Sequence, residues 1–273
     1  MRVSEIESHV LFGTAFASAS FIHLYSATDP APLPMRVLSQ KDRWVGEAIN
    51  RVRVTHFAPI RRCAVSLSDL SYQMDRFKDL SKGIPRRLRQ QLEFILEIDA
   101  LKGVLRRSYL IGDHRHENSA EHSWHLAVAA MVLAEHAKER IDVSKVIRLV
   151  LVHDLVEIDA GDTFIYDDAG NVGKAAREQK AANRLFGILP EEQGQTFMAL
   201  WREFEDRQTP EAKFAFALDR LMPILHNVFT EGGTWKEHRI RQEQALTKNR
   251  PIEDGSSILW QAVESLITQT LAK

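Results

Sequence analysis

The sequence predicts an all-α domain over residues 74–273, preceded by a weakly patterned segment over residues 1–73. From Met74 onward, apolar residues recur at the three- and four-residue spacing of helices that bury one face. The same residues show no convincing two-residue alternation and no Asn-Gly turn of the kind that indicates strands. We therefore expect a compact domain of seven or eight helices.

The ends of the predicted helices carry recognisable signals. Ser119 is a candidate N-cap, and Gly161 lies just past a helix end. Pro190 and Pro210 stand at helix starts, and each is followed by a glutamate. The predicted helices cover roughly residues 86–102, 119–139, 143–159, 172–186, 190–205, 210–230, 235–248 and 255–271.

Residues 1–73 differ from the rest in composition and charge. They contain four of the nine prolines and 8 basic against 6 acidic residues, whereas the remaining residues hold 28 basic against 31 acidic. Three interpretations of this segment stay open: a poorly ordered extension, a small regulatory appendage, and sequence upstream of a true start at Met74. An early apolar stretch over residues 10–25 is too short and too mixed for a membrane span.

The overall composition excludes several classes of protein. With 36 Lys+Arg against 37 Asp+Glu, the net charge of −1 provides no global field for nucleic acid. Cys63 is the single cysteine, which excludes an intramolecular disulfide framework and a multi-cysteine zinc site. We expect a cytoplasmic protein that binds neither nucleic acid nor membrane.

Three predicted helices carry ionisable residues against their own apolar pattern. These residues are His122, the doublet His153-Asp154, and Asp219. Burying such groups is costly unless something pairs with them, and a divalent cation is one such partner. Simpler interpretations remain for each: a structural histidine, a buried His–Asp pair, and a solvated Asp219-Arg220 surface pair.

Taken together, the four residues are spaced H-x30-H-D-x64-D on three separate helices. Two imidazoles and two carboxylates suit borderline or hard cations such as Mn, Co, Fe, Ni, Zn or Mg. Four protein ligands leave coordination positions open, which is typical of a catalytic metal site. Glu157 lies four residues after His153 and shares its helix face.

At this point a family resemblance is clear. The stretch 117–125 (ENSAEHSWH), then His153-Asp154, then Asp219 resemble the HD-domain superfamily of metal-dependent phosphohydrolases. The continuation through Glu157, Gly161 and Asp162 is similar to the 5′-deoxynucleotidase branch. The resemblance covers about residues 86–250, and it implies a compact multi-helix HD domain.

The resemblance also implies roles for individual residues. It implies that His122, His153, Asp154 and Asp219 hold one divalent metal ion. It implies that Glu157 takes part in proton transfer around the attacking water; the alternative is that Glu157 only orients His153.

Two further roles concern the substrate. The resemblance implies that Asp162 contacts the nucleotide sugar in catalysis, although it could equally be a turn residue beside Gly161. Arg107 aligns by spacing with a phosphate-orienting arginine, and Arg106 competes with it for that role. Ser108 stands where the branch has a tryptophan, and residues 163–165 lack the proline of the bacterial pattern. These departures leave the sugar and base preference open.

The leading hypothesis is metal-dependent hydrolysis of a small phosphorylated substrate, a 5′-(deoxy)nucleoside monophosphate. The alternatives are an HD phosphohydrolase acting on a nucleoside triphosphate or cyclic nucleotide, and a non-catalytic helical metal-binding scaffold. The resemblance also implies a homodimer, in which three tryptophans could serve either an interface or the core. These are Trp201, Trp235 and Trp260.

Overall fold

A computed structural model describes residues 75–272, and over that range the all-α fold class is confirmed. The predicted segment 1–73, with Cys63, lies outside the described residues. After a short helix at 75–80, the α-helices are α1 (Arg86–Glu97), α2 (Ser119–Leu133), α3 (Val143–Val152), α4 (Glu157–Ala160), α5 (Asp168–Asn171), α6 (Lys174–Phe186), α7 (Glu191–Asp206), α8 (Pro210–Phe229), α9 (Gly233–Glu237), α10 (Gln242–Asn249), α11 (Ile252–Gly255) and α12 (Ser257–Leu271). Tighter 3-10 helices occupy Ile98–Gly103, Ala134–His136 and His153–Val156.

A two-stranded antiparallel ribbon precedes α2, so the prediction of no strands was wrong here. Strand β1 (Leu105–Tyr109) pairs with β2 (His116–Asn118) through an irregular register. The alternation was not visible because the less exposed positions of β1 are Arg106 and Ser108 rather than apolar residues. As a consequence, Arg106 points towards the helices and Arg107 is exposed.

The start of α2 differs from the prediction by one residue. The N-cap is Asn118, whose side chain accepts a hydrogen bond from the Glu121 backbone N–H at 2.9 Å. The Glu121 carboxylate accepts in return from the Asn118 backbone N–H at 3.3 Å, which completes a capping box. Ser119 is therefore the first helical residue, and its hydroxyl is available for another partner.

Four predicted helices are interrupted or end early, and two of them, 86–102 and 119–139, pass into 3-10 segments at Ile98–Gly103 and Ala134–His136. The expected helix 143–159 tightens into the 3-10 segment at His153–Val156, which has about three residues per turn. The expected helix 235–248 breaks between α9 and α10. At Gly161, α4 ends on φ +73, a conformation that strongly favours glycine, in agreement with its predicted place past a helix end.

Helix α8 lies at the centre of the larger hydrophobic core and packs against α2, α3, α7, α11 and α12. A Cβ at Gly255 would collide with the Lys213 carbonyl oxygen, so glycine allows α11 to approach α8 closely. A second core joins α1, α6 and α7 to the residues after His153. The His-Asp doublet thus lies between two packed cores. The three tryptophans considered for an interface are all buried: Trp201, Trp235 and Trp260.

Candidate metal centre

The four predicted metal ligands converge from three elements. His122 comes from the first turn of α2, His153 and Asp154 from the 3-10 segment, and Asp219 from the middle of α8. Nε2 of His122 lies 2.9 Å from Oδ1 of Asp219. Nε2 of His153 lies 3.0 Å from Oδ1 of Asp154 and 3.7 Å from Oδ1 of Asp219. Two nitrogen and two oxygen donors therefore face a common point.

Both histidines present the same ring nitrogen to this point. Nδ1 of His153 lies 2.8 Å from the Val150 carbonyl oxygen, to which it can donate. Nδ1 of His122 lies 3.2 Å from Oε2 of Glu117, a carboxylate that is only 1% exposed. A histidine whose Nδ1–H is held in this way keeps a free lone pair on Nε2 for a metal ion.

The electrostatics of the site keep both aspartates ionised. Burial alone would raise the pKa of Asp154, but His153 and Arg106 outweigh it and hold the pKa below its usual value. Burial opposes ionisation of Asp219 as well, but the neighbouring imidazoles of His122 and His153 and the charge of Arg106 bring its pKa well below the usual value. A carboxylate ligand must be deprotonated, so both side chains meet that condition near neutral pH.

Of the two candidate arginines, Arg106 is the one that contacts the site. It donates from one terminal nitrogen to Oδ2 of Asp154 at 2.6 Å and from the other to Oδ1 of Asp219 at 3.5 Å. Burial would lower the pKa of Arg106, but surrounding carboxylates, Asp154 first among them, raise it above its usual value. Arg107 is exposed at the rim of the same cavity.

Glu157 lies beside the ligands in a buried setting. Its Oε2 accepts a 2.7 Å hydrogen bond from the Ser119 hydroxyl, which joins the start of α4 to the start of α2. Burial and the charge of Asp154 raise the pKa of Glu157 well above its usual value, although Arg106 and the Ser119 hydrogen bond act in the opposite direction. A carboxyl group with a raised pKa is a better proton acceptor when ionised than an ordinary glutamate.

Asp162 follows the turn at Gly161 and lines the same cavity. Burial and the nearby charge of Asp154 raise its pKa, while Arg106 acts in the opposite direction. The cavity measures about 280 Å³ and runs from the metal-ligand candidates to an aromatic end. That end is lined by Phe164, Tyr166 and Trp235.

The sequence matches a known family over most of the described range. A model of the HD domain family matches residues 98–260, a stretch that includes all four metal-ligand candidates. The chain belongs to the HD domain family. The recognition made from the sequence motifs is therefore confirmed.

Curated relatives of this HD domain are named for one activity. A human protein named 5′-deoxynucleotidase HDDC2 is 33% identical over 138 residues, which cover 50% of this chain and 66% of that protein. The Bos taurus protein of the same name is 32% identical and covers 51% of this chain and 67% of the relative. This chain thus spans about two thirds of the length of the curated relatives it matches.

A solved structure extends the comparison. It is a predicted metal-dependent phosphohydrolase from Magnetospirillum magnetotacticum, which is 49% identical to this chain. The match has a TM-score of 0.65 and covers 68% of this chain and 93% of the other.

The side chains of this HD domain fit a divalent cation. Nε2 of His153 is buried without a hydrogen bond, as expected of an atom that awaits a metal ion. His122, His153 and Asp154 offer ligand atoms that all lie within 4.8 Å of one another. The donor set contains no thiolate, which favours the borderline and hard cations.

Glu117 and His226 are site residues that the sequence reasoning did not assign. Oε2 of Glu117 lies 3.8 Å from Nδ1 of His226, in addition to its contact with His122. His125, the last residue of the 117–125 stretch, stacks on His226 with ring centroids 6.3 Å apart. These residues form a support behind His122. Glu117 belongs to the ENSAEHSWH motif, but that pattern alone does not indicate what its carboxylate contacts.

Proposed function

We propose that this HD domain is a divalent-metal-dependent phosphohydrolase that converts 5′-(deoxy)nucleoside monophosphates to nucleoside and phosphate. The observation that carries the proposal is the convergence of His122, His153 and Asp154, with Asp219 against both histidines, beside the buried carboxyl group of Glu157. The names of the human and bovine relatives support the nucleotide substrate, and the name of the solved relative supports metal-dependent phosphoryl chemistry.

His122, His153, Asp154 and Asp219 would hold the metal ion. When bound, a divalent cation lowers the pKa of water and polarises a phosphoryl oxygen. Arg106 is placed to orient the phosphate, because its guanidinium already reaches both Asp154 and Asp219 and can bind phosphate through two hydrogen bonds.

Proton transfer is assigned to Glu157. Its raised pKa suits a group that accepts a proton from the attacking water and later releases it. The hydrogen bond from the Ser119 hydroxyl holds Oε2 of Glu157 and leaves Oε1 as the oxygen assigned to proton transfer. Water supplies the hydroxyl group of the product phosphate, and its remaining proton passes to the nucleoside oxygen when the P–O bond breaks.

The aromatic end of the cavity is assigned to the nucleoside. Asp162 lines the same cavity as the aromatic residues and the metal-ligand candidates, and its carboxyl group is assigned to the sugar. Phe164 and Tyr166 pack edge to face with ring centroids 5.1 Å apart and offer an apolar surface to a base. Arg107 at the exposed rim remains a candidate contact for the phosphate.

Phosphate release from a nucleotide panel tests the proposal. The protein is stripped with a chelator and then assayed with Mn, Co, Ni, Zn or Mg on monophosphates, triphosphates and cyclic nucleotides. We expect metal-dependent release of inorganic phosphate from monophosphates, and loss of at least about 100-fold in kcat for Glu157→Gln. Pyrophosphate, tripolyphosphate or a linear nucleotide as product would instead select another phosphohydrolase activity.

A second comparison separates enzyme from scaffold. If Glu157→Gln left turnover unchanged and His153→Ala lowered only the melting temperature, the site would be a structural metal centre. Within residues 75–272 every helix is too short or too polar to cross a bilayer. The homodimer implied by the family resemblance stays a prediction, which light scattering on the purified protein measures directly.

A further inference from the structure

Arg220 lines the proposed active-site cavity next to Asp219 on α8. The sequence left open a solvated surface pair for these two residues, but both are partly buried. Nε of Arg220 is buried without a hydrogen bond. Among residues 75–272, no hydrogen bond or ion pair involves its guanidinium, and Arg220 is one of the residues that line the cavity.

A second arginine packs on the same aromatic ring as Arg220. The guanidinium carbons of Arg207 and Arg220 lie 4.4 Å and 4.7 Å from the ring centroid of Phe216. Cation–π packing offsets part of the cost of burying a guanidinium.

The neighbouring amide side chains do not share this property. Asn227 accepts from the Thr234 hydroxyl and the Trp235 backbone N–H, both at 3.0 Å. Asn249 donates to the Tyr166 hydroxyl at 3.2 Å. These amide groups already bond within the protein. The guanidinium donors of Arg220 have no such partner among residues 75–272 and remain available to a ligand.

The adjacent carboxylate of Asp219 is already engaged. Oδ1 of Asp219 faces His122 at 2.9 Å and Arg106 at 3.5 Å, so it is held towards the metal-ligand cluster. The phosphate that reacts would lie at that cluster. Arg220 is one residue further along α8, and a row of rings connects it to His153. The ring centroids of His153 and Phe204 are 4.6 Å apart, and those of Phe204 and Phe216 are 6.4 Å apart.

We propose that Arg220, assisted by Arg207, binds a second anionic group of the substrate. The preferred substrate would then be a nucleoside phosphomonoester that carries a second phosphate. A guanidinium fork matches the oxygens of a phosphate through two hydrogen bonds, and its charge would be neutralised on binding. This inference rests on the proposed function for the position of the first phosphate.

Equilibrium binding tests the inference apart from turnover. Holoprotein is titrated with deoxyadenosine 5′-monophosphate, its 5′-diphosphate and its 3′,5′-bisphosphate, and phosphate release is measured in parallel. We expect at least one ligand with two phosphates to bind about 10-fold or more tightly than the monophosphate. Arg220→Gln should remove that preference and change monophosphate binding less than about 3-fold.

Two further variants complete the design. Arg207→Gln alters an exposed side chain and should reduce the same preference by about 3-fold, even if Arg220→Gln folds poorly. Arg148→Gln, at an exposed position of α3 that does not line the cavity, removes the same charge and should change nothing. Equal binding of all three nucleotides, or equal losses for mono- and bisphosphate in Arg220→Gln, would overturn the inference. Selective binding without phosphate release would overturn only the proposed function.

Discussion

Replacing Glu117 with glutamine isolates the contribution of the buried carboxylate behind His122. The side chain keeps its shape, so the change is confined to the charge on Oε2, which lies 3.2 Å from His122 Nδ1. A residue that orients a metal-bound histidine typically contributes about 10- to 100-fold in metal affinity. A tenfold weaker affinity corresponds to about 1.4 kcal/mol.

The measurement is a competition between the protein and a chelator of known affinity, with Mn or Zn as the metal. Glu135→Gln is the matched control, because it removes one carboxylate at an exposed position beyond the end of α2. We expect the dissociation constant to rise about 10- to 100-fold for Glu117→Gln, as for other residues that orient a metal-bound histidine. A change of less than twofold would refute the argument that Glu117 holds His122 for the metal.

Three further predictions follow from described contacts. Ser119→Ala removes the hydrogen bond that lowers the pKa of Glu157, so the acid limb of the pH–rate profile should move to higher pH, because Glu157 acts as a base only when ionised. Gly161→Ala should lower the unfolding free energy by about 1–3 kcal/mol, measured by denaturant melts, because φ is +73 there. Chelation should lower the melting temperature, since metal at about 100 times its dissociation constant stabilises the fold by about 2.7 kcal/mol; Asp219→Ala should abolish most of that difference.

The metal-ligand candidates could be predicted because they break a strong pattern. His153, Asp154 and Asp219 interrupt apolar helices, and an interruption of that kind is visible without any tertiary information. Their convergence in the fold follows from α2, α3 and α8 packing together around one core. The positions of the long helices could be predicted from the helical spacing of their apolar residues.

The choice between Arg106 and Arg107 could not be made from the sequence. It depends on which face of β1 meets the helices, and β1 has no apolar face that would reveal its register. The burial of Arg220 was equally hidden, because the direction of a side chain on a central helix depends on what packs against it. A hydroxyl before a helix usually acts as its N-cap, which favours Ser119 in the sequence. In the structure, Asn118 is the N-cap.

The contact between the His153 ring and the Val150 carbonyl oxygen restricts how this centre can be re-engineered. The same ring that offers Nε2 to a metal ion also ties the end of α3 to the 3-10 segment through Nδ1. Cysteine or aspartate at this position could supply a donor atom but would leave the carbonyl without that partner. Among the described hydrogen bonds, the Asp219 carboxylate contacts only side chains and makes no bond to the backbone. Attempts to change metal preference by ligand exchange should therefore begin on α8 and spare His153.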